Sequence, residues 1–307
     1  MRRPPRAERN PARARGSTHI TPAVLHRWAL PAVDGDQGKE GRGCVLVVGG
    51  SDQIPGAVIL AATAALRAGA GKLQIATGRR VAPWVAVAVP EARVIGLSHD
   101  RTGELAPRAC TAIRQEAGAC DALLVGPGMM DQRAGVDLVR RCLRAVDGPA
   151  LIVDAAPLAA FGDRRPIAPA ARNRVVLTPH AGEMAMLWGV PKDEVQAAPL
   201  DIARDAAARL GAIVVLKGAV TVVAAPDGTT FHNTAGNSGL GTSGSGDALS
   251  GVIAGLCARG ADPLRAAIWG VYLHARAGDA LARRVGHHGY LARELLPEIP
   301  SLLDRLS

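Results

Sequence analysis

From Cys44 onward, short and nearly unbroken runs of Val, Ile and Leu alternate with longer Ala/Leu/Arg stretches. Residues 44–48 read as a strand buried on both faces and stopped by Gly49-Gly50. Residues 55–68 read as an Ala-rich helix with proline in its first turn. Further strands are predicted at 72–77, 93–97, 122–125, 150–154, 175–177, 213–217 and 219–225. Helices are predicted at 105–117, 133–145, 200–210, 247–259 and 262–284. After Thr230 the β signal fades, and 236–246 is a glycine-rich loop. Strands this uniformly apolar, alternating with helices, imply an α/β fold whose mostly parallel central sheet is covered on both faces. Such sheets bind ligands at the carboxyl ends of their strands. Gly49-Gly50-Ser51, Gly126-Pro127-Gly128, Asp154, Thr178-Pro179-His180 and Lys217-Gly218 all follow strands, so they are expected along one edge. No internal repeat is visible.

Composition sharpens this picture. The chain has 307 residues, 48% of them hydrophobic, enough to build a core. Its longest mostly apolar run, 54–66, ends at Arg67 after 13 residues, short of the roughly 18 that a membrane helix needs. The formal charge of +9 invites a nucleic-acid reading, but it is unevenly spread. Residues 1–16 hold six Arg and one Glu, a net of +5, which leaves only +4 for the rest. The chain is therefore read as a disordered basic tail, 1–16, followed by one domain, 17–307. The tail lacks the apolar run of a secretory or twin-arginine signal, and its want of Ser and of an amphipathic pattern argues against an organellar presequence. Aromatics at 3% are too few for a base-stacking platform, so a nucleic-acid arm is the weaker reading of the tail. Five dispersed cysteines without a C-x-x-C pattern fit free thiols in a reducing cytoplasm and no zinc site.

The richest chemistry lies in 236–247, five glycines among the eleven residues before Asp247, followed by an apolar helix. Glycines let backbone N–H groups turn inward, and a helix start adds unpaired donors and the positive dipole end. This favours a site for a phosphate or developing anion over the alternative that Asp247 merely caps its helix. Gly239-x-Gly241-x-x-Gly244 matches a dinucleotide fingerprint in form, but no strand is predicted before it and only helices follow. Neither a Walker loop nor a G-x-S-x-G elbow is present. Lysine is scarce, at positions 39, 72, 192 and 217 only, and Lys217 closes an apolar strand. It is either a surface charge or a group at the ligand edge. His180 is either a ligand contact or a helix cap, and Glu183 falls in the first turn of the next helix. His287-His288 read as a solvated turn, and Met129-Met130 and the Trp residues as core or pocket wall.

Taken together these segments resemble a known family. Gly244-Ser245-Gly246-Asp247 opening a helix is similar to the anion hole of ribokinase-like enzymes. The wider set is Val48-Gly49-Gly50-Ser51, Pro55-Gly56-Ala57, Val125-Gly126-Pro127-Gly128, Leu177-Thr178-Pro179-His180-x-Gly182-Glu183, Leu216-Lys217-Gly218-x-x-Thr221 and Gly236-Asn237-x-Gly239. With Gly289-Tyr290-Leu291-Ala292 near the end, it resembles the ADP-dependent NAD(P)H-hydrate dehydratases in collinear order over residues 20–300. The resemblance implies a ribokinase-like three-layer α/β/α fold. It also implies ADP- or ATP-driven dehydration of the S epimer of NADHX or NADPHX, giving NADH or NADPH, AMP and phosphate. It assigns Asp247 as general base, with Gly244, Ser245 and Gly246 stabilising the transferred phosphoryl group. Ala57, Gly128, His180 and Asp247 would meet the hydrated dinucleotide. Lys217, Gly218, Ala219, Val220, Thr221 and Gly246 would meet the adenine nucleotide. Mg²⁺ would neutralise phosphates, although no dedicated ligand pair is visible. The resemblance further implies a homotetramer and a separate NAD(P)H-hydrate epimerase as functional partner. Ser243-Gly244 replaces the family's paired glycines, and Asp154-Ala155-Ala156 replaces its Asp-Ala-Asp. A small-molecule kinase of the same fold would share the anion hole.

Overall fold

The computed structural model describes residues 16–32, 38–145 and 148–306. Residues 1–15 of the expected basic tail lie outside them. In chain order the elements open with β1 (Thr18–His19), α1 (Pro22–Arg27), α2 (Gly38–Gly41), β2 (Cys44–Val48), α3 (Pro55–Arg67) and β3 (Lys72–Gly78). Next come α4 (Ala82–Ala88), β4 (Arg93–Leu97), α5 (Cys110–Ala117), β5 (Ala122–Val125), α6 (Gln132–Ala145), β6 (Ala150–Val153) and β7 (Val175–Leu177). They are followed by α7 (Ala181–Trp188), α8 (Lys192–Ala197), α9 (Pro199–Leu210), β8 (Ile213–Leu216), β9 (Thr221–Ala224) and β10 (Thr230–Asn233). The chain closes with α10 (Ser245–Ala258), α11 (Pro263–Arg284), α12 (Ala292–Leu295) and α13 (Glu298–Leu306).

The strands form one sheet in the order β1-β10-β9-β8-β7-β6-β5-β2-β3-β4. From β8 to β4 every neighbour is parallel, as the doubly apolar strands predict. Alternate residues of each strand feed two cores. Val45, Val47, Leu124 and Ile152 face α3, α10 and α11, while Leu46, Val48, Leu123 and Val153 face the side of α5, α6 and α9. The chain runs outward from β2 to β4, returns to β5 beside β2, and continues the other way to β8. The switch point between β2 and β5 opens a crevice at the carboxyl ends of the strands. The loops expected along one edge all leave this end of the parallel strands.

One helix pair on the crevice side packs very closely. An added Cβ at Gly251 or Gly255 of α10 would lie 2.2 or 2.3 Å from the carbonyl oxygens of Ala61 and Ala65 in α3. Gly251→Val is therefore expected to destabilise the protein by about 2–3 kcal/mol through forced separation of backbones. Urea unfolding of the variant against wild type measures this directly.

Several expectations are corrected. The β signal does not end at Thr230, because β10 pairs antiparallel with β9 across the Asp227-Gly228 turn. Its Thr-Phe-His-Asn sequence is polar enough to hide it, although the Asp-Gly pair marks a hairpin. A strand thus does precede the glycine-rich loop, but helices alone follow it, so no βαβ dinucleotide unit forms. The expected strand at 219–225 starts at Thr221, because the Thr221 hydroxyl donates to the Gly218 carbonyl (3.3 Å) and folds 218–220 into a turn. The helix predicted from 105 starts at Cys110, after a 3₁₀ turn over Pro107–Ala109. Met130 and Trp84 are exposed rather than core or pocket wall, whereas Met129 and Trp269 are buried. His287 and His288 lie in an exposed bend, as expected.

Candidate functional site

The glycine-rich loop ends where α10 begins. Gly244 holds the cap position with φ +86°, a left-handed value that suits glycine, and it offers no side-chain cap to the first turn. The amides that follow carry the positive end of a 14-residue helix. Ser243 needs no such backbone, since the positive-φ non-glycine residues among those described are Ala155, Arg164 and Asn173. Ser245 is buried, and its hydroxyl pairs with His274 Nε2 of α11 at 3.0 Å. Burial holds the His274 ring down at about 4, so it is neutral and braces the helix start without adding charge.

Asp247 stands in the first turn of α10. Burial raises its carboxyl to about 7, helped by the negative charge of Asp154 and opposed by Lys217. It is a helix-turn acid poised to exchange a proton near neutrality, not the cap residue.

Lys217 follows β8 and Asp154 follows β6. The lysine Nζ donates to Asp154 Oδ1 at 2.9 Å and lies 4.0 Å from Glu183 Oε2. Burial would raise the Asp154 carboxyl, but the Lys217 charge together with hydrogen bonds from Lys217, Thr178 and the Ala155 amide outweighs it and holds the group below its ordinary value. Burial likewise opposes the lysine charge, while Asp154 and Glu183 more than restore it. A Cβ placed on Gly246 would sit 3.1 Å from Lys217 Nζ, so the ammonium lies directly under the amide turn. Backbone donors and a fixed cation thus converge on one spot, the arrangement that stabilises a transferring phosphoryl group. Ala155, next to Asp154, has φ 55° and ψ −144°, a strained conformation for alanine at the exit of the central strand β6.

His180 caps α7. Its Nδ1 accepts from the amides of Gly182 (3.0 Å) and Glu183 (3.1 Å), while Glu183 Oε2 accepts from the His180 amide (2.7 Å). A ring nitrogen that accepts twice carries no proton, so in the neutral ring the N–H is on Nε2. This cap fixes Glu183 where it can reach toward Lys217.

Two cavities meet at His180. The larger, about 700 Å³, is bordered by Lys217, Gly218, Ala219, Thr221, Ser245, Gly246 and His274. Its far wall is the Asn237 loop, fastened where Tyr290 donates to Asn237 Oδ1 at 2.9 Å and the Gly239 amide donates to the same oxygen at 3.0 Å. The smaller, about 440 Å³, runs past Ala155, Leu158, Glu183 and Met186. Both fall in the size range of ligand sites.

The sequence-predicted residues divide accordingly. Lys217, Gly218, Ala219, Thr221, Ser245 and Gly246 border the larger cavity together, whereas Val220 is not among its lining residues. Ala57 and Gly128 stand side by side at the switch point, where a Cβ on Gly128 would lie 3.0 Å from that of Ala57, and they border neither cavity. Asp154, Glu183 and His274 join the site from outside the residues that the sequence predicts for it. Asp154 had one legible signal, an acid closing an apolar strand at the ligand edge. His274 had none, since a histidine inside a long helix reads as packing.

A family model described as NAD(P)H-hydrate dehydratase matches residues 45–301. An ADP-dependent (S)-NAD(P)H-hydrate dehydratase from Xanthomonas campestris pv. campestris is 51% identical over 289 residues, 94% of this chain and 96% of that protein. A crystal structure of the ADP/ATP-dependent NAD(P)H-hydrate dehydratase from Bacillus subtilis, co-crystallised with ATP and Mg²⁺, is similar at TM-score 0.81 and 33% identity. It covers 96% of this chain and 100% of that one. A ribokinase-like superfamily protein from Enterococcus faecalis gives TM-score 0.81 at 26% identity, over 95% of this chain and 96% of its own. The chain also spans about half, 53%, of a bifunctional NAD(P)H-hydrate repair enzyme from Moorella thermoacetica.

Proposed function

We infer the activity from one premise: the chain belongs to the NAD(P)H-hydrate dehydratase family and has its ribokinase-like fold. It is an ADP-dependent lyase that dehydrates the S epimer of NADHX or NADPHX to the reduced cofactor. The observation that carries this reading is Asp247, a carboxyl held near 7 at the amide-rich start of α10, over the Lys217–Asp154 pair.

The ring hydroxyl of the hydrate is a poor leaving group. Asp247 accepts its proton as the oxygen attacks the terminal phosphorus of the nucleotide. The bond from that phosphorus to AMP breaks while the first-turn amides and Lys217 hold the charge that develops. The ring C–O bond then breaks with phosphate leaving, and loss of a ring proton restores the double bond. The larger cavity would take the adenine nucleotide, with Lys217, Gly218, Ala219 and Thr221 along its wall. The dinucleotide would approach Asp247 from the side of Ala57, Gly128 and His180.

Among the described residues no group of three or more His, Cys, Asp or Glu side chains is placed to hold a metal ion. Mg²⁺ would be carried by the nucleotide phosphates, where it would supply charge neutralisation. Asp154 and Glu183 are already engaged with Lys217. An NAD(P)H-hydrate epimerase, which would supply the S epimer, is the functional partner this reading expects. Trp84 and Val87, 75% and 80% exposed on α4 beside the edge strand β4, support a homo-oligomer. Among the described residues no helix is long and apolar enough to cross a membrane. The free cysteines and a cofactor substrate support a cytoplasmic enzyme.

The fate of the phosphate separates this reading from a kinase. Phosphorus NMR is expected to show ADP giving AMP and free inorganic phosphate in step with reduced cofactor. A stable phosphorylated product would instead identify a kinase. The pH dependence follows from the base: Asp247 must be ionised to accept a proton, so kcat/KM should rise with pH through about 7 and level off above it. A flat profile from pH 5 to 8 would remove Asp247 from that role.

A further inference from the structure

At the opposite end of the sheet the sulfurs of Cys44 and Cys120 lie 2.9 Å apart. Cys44 opens β2, and Cys120 sits in the turn that leads into β5. The Cys44 amide donates to Asp121 Oδ2 at 2.8 Å, and the Asp121 amide donates to the Cys44 carbonyl at 2.9 Å. This two-way clamp fixes the two strand ends relative to each other, so the sulfurs need little movement to bond. Both thiols are buried, at 6% and 7% exposure, yet Gly118, Ala119 and Asp121 around them are exposed. The pair therefore lies directly beneath the surface on the Cys120 side. The Cys120 hydrogen bond holds the Cys44 thiol below its ordinary value, while the same bond and burial push Cys120 up. Gln74 Nε2 also donates to the Cys44 sulfur at 3.8 Å, which favours the thiolate on Cys44 as the nucleophile and leaves Cys120 as the resolving thiol.

We propose that Cys44 and Cys120 form a reversible disulfide that ties β2 to β5 under hydroperoxide stress and spares both sulfurs from irreversible oxidation. The Cys44 thiolate attacks one peroxide oxygen. The O–O bond breaks, and hydroxide leaves to be protonated to water, giving a sulfenic acid. The Cys120 sulfur then attacks the Cys44 sulfur, and a second water leaves with the Cys120 proton. The two thiols lose two electrons, and the peroxide gains them. The pair sits at the amino ends of the strands, roughly 13 Å from the catalytic edge at ~3.3 Å per residue along β2.

Peptide mapping tests this. The native full-length protein is treated with hydrogen peroxide, alkylated in denaturant without reductant, and digested with trypsin. Cleavage places Cys44 in residues 43–67 and Cys120 in 115–133, each without another cysteine. The expected result is a linked pair of these peptides that disappears on reduction with dithiothreitol. It should be absent in Cys120→Ser, which should instead accumulate sulfinic acid at Cys44 several-fold faster than wild type. Full alkylation of both cysteines after peroxide, or sulfinic acid in wild type without the linked peptide, would overturn the proposal.

Discussion

Asp247→Asn is expected to lower kcat by about 10²- to 10⁴-fold, the span that a positioned general base contributes, while nucleotide binding stays close to wild type. The amide keeps the side chain's shape and its place in the first turn of α10, so the amide donors and Lys217 remain in position. What disappears is the ability to take the hydroxyl proton. The variant should also be the more stable protein in alkaline buffer. The folded-state carboxyl is raised to about 7, well above its unfolded value near 4. Between those values the native state holds a proton that the unfolded state has released. Stability therefore falls as pH rises through that window, and an amide removes the penalty. A higher Tm for Asp247→Asn than for wild type at pH 8, with activity lost, separates a catalytic defect from a folding one. Near-wild-type kcat in a folded variant would contradict the base role.

Lys217→Met carries the second large effect. Asp154 is only 3% exposed, and its charge is balanced by one lysine contact of 2.9 Å. Removing that partner strands a buried carboxylate, a loss of about 3–5 kcal/mol in comparable buried pairs. The nucleotide KM should rise as well, since the cation beneath the Gly246 amide is gone. Pairing the change with Asp154→Asn tells the two roles apart. The double variant has no uncompensated charge, so denaturant unfolding should show much of the stability restored. Its nucleotide affinity should stay weak. Restoration of both would make Lys217 a structural partner only.

The sequence made the sheet legible because its strands are apolar on both faces, a pattern that few other arrangements tolerate. It also placed Lys217 and His180 at one edge, since each follows such a strand, but not the glycine-rich turn, which follows the polar β10. It failed where identity depends on pairing. β10 is short and polar, and its antiparallel partner rather than its own pattern makes it a strand. The role of Asp154 became visible only with the lysine that neutralises it, sixty-three positions away. His274 needed the helix crossing that brings it to Ser245, and the strained Ala155 carries no mark in composition. His180 was open between cap and ligand contact. The structure makes it the cap, and the ring still borders both cavities.

The central claim is that α10 presents Asp247 and its first-turn amides to a nucleotide-driven dehydration. The most direct measurement mixes purified protein with (S)-NADHX, ADP and Mg²⁺ and follows the absorbance of the reduced nicotinamide. Recovery that requires ADP, and that fails with Asp247→Asn, is the result expected. A folded wild-type protein that returns no reduced cofactor with either ADP or ATP would contradict it.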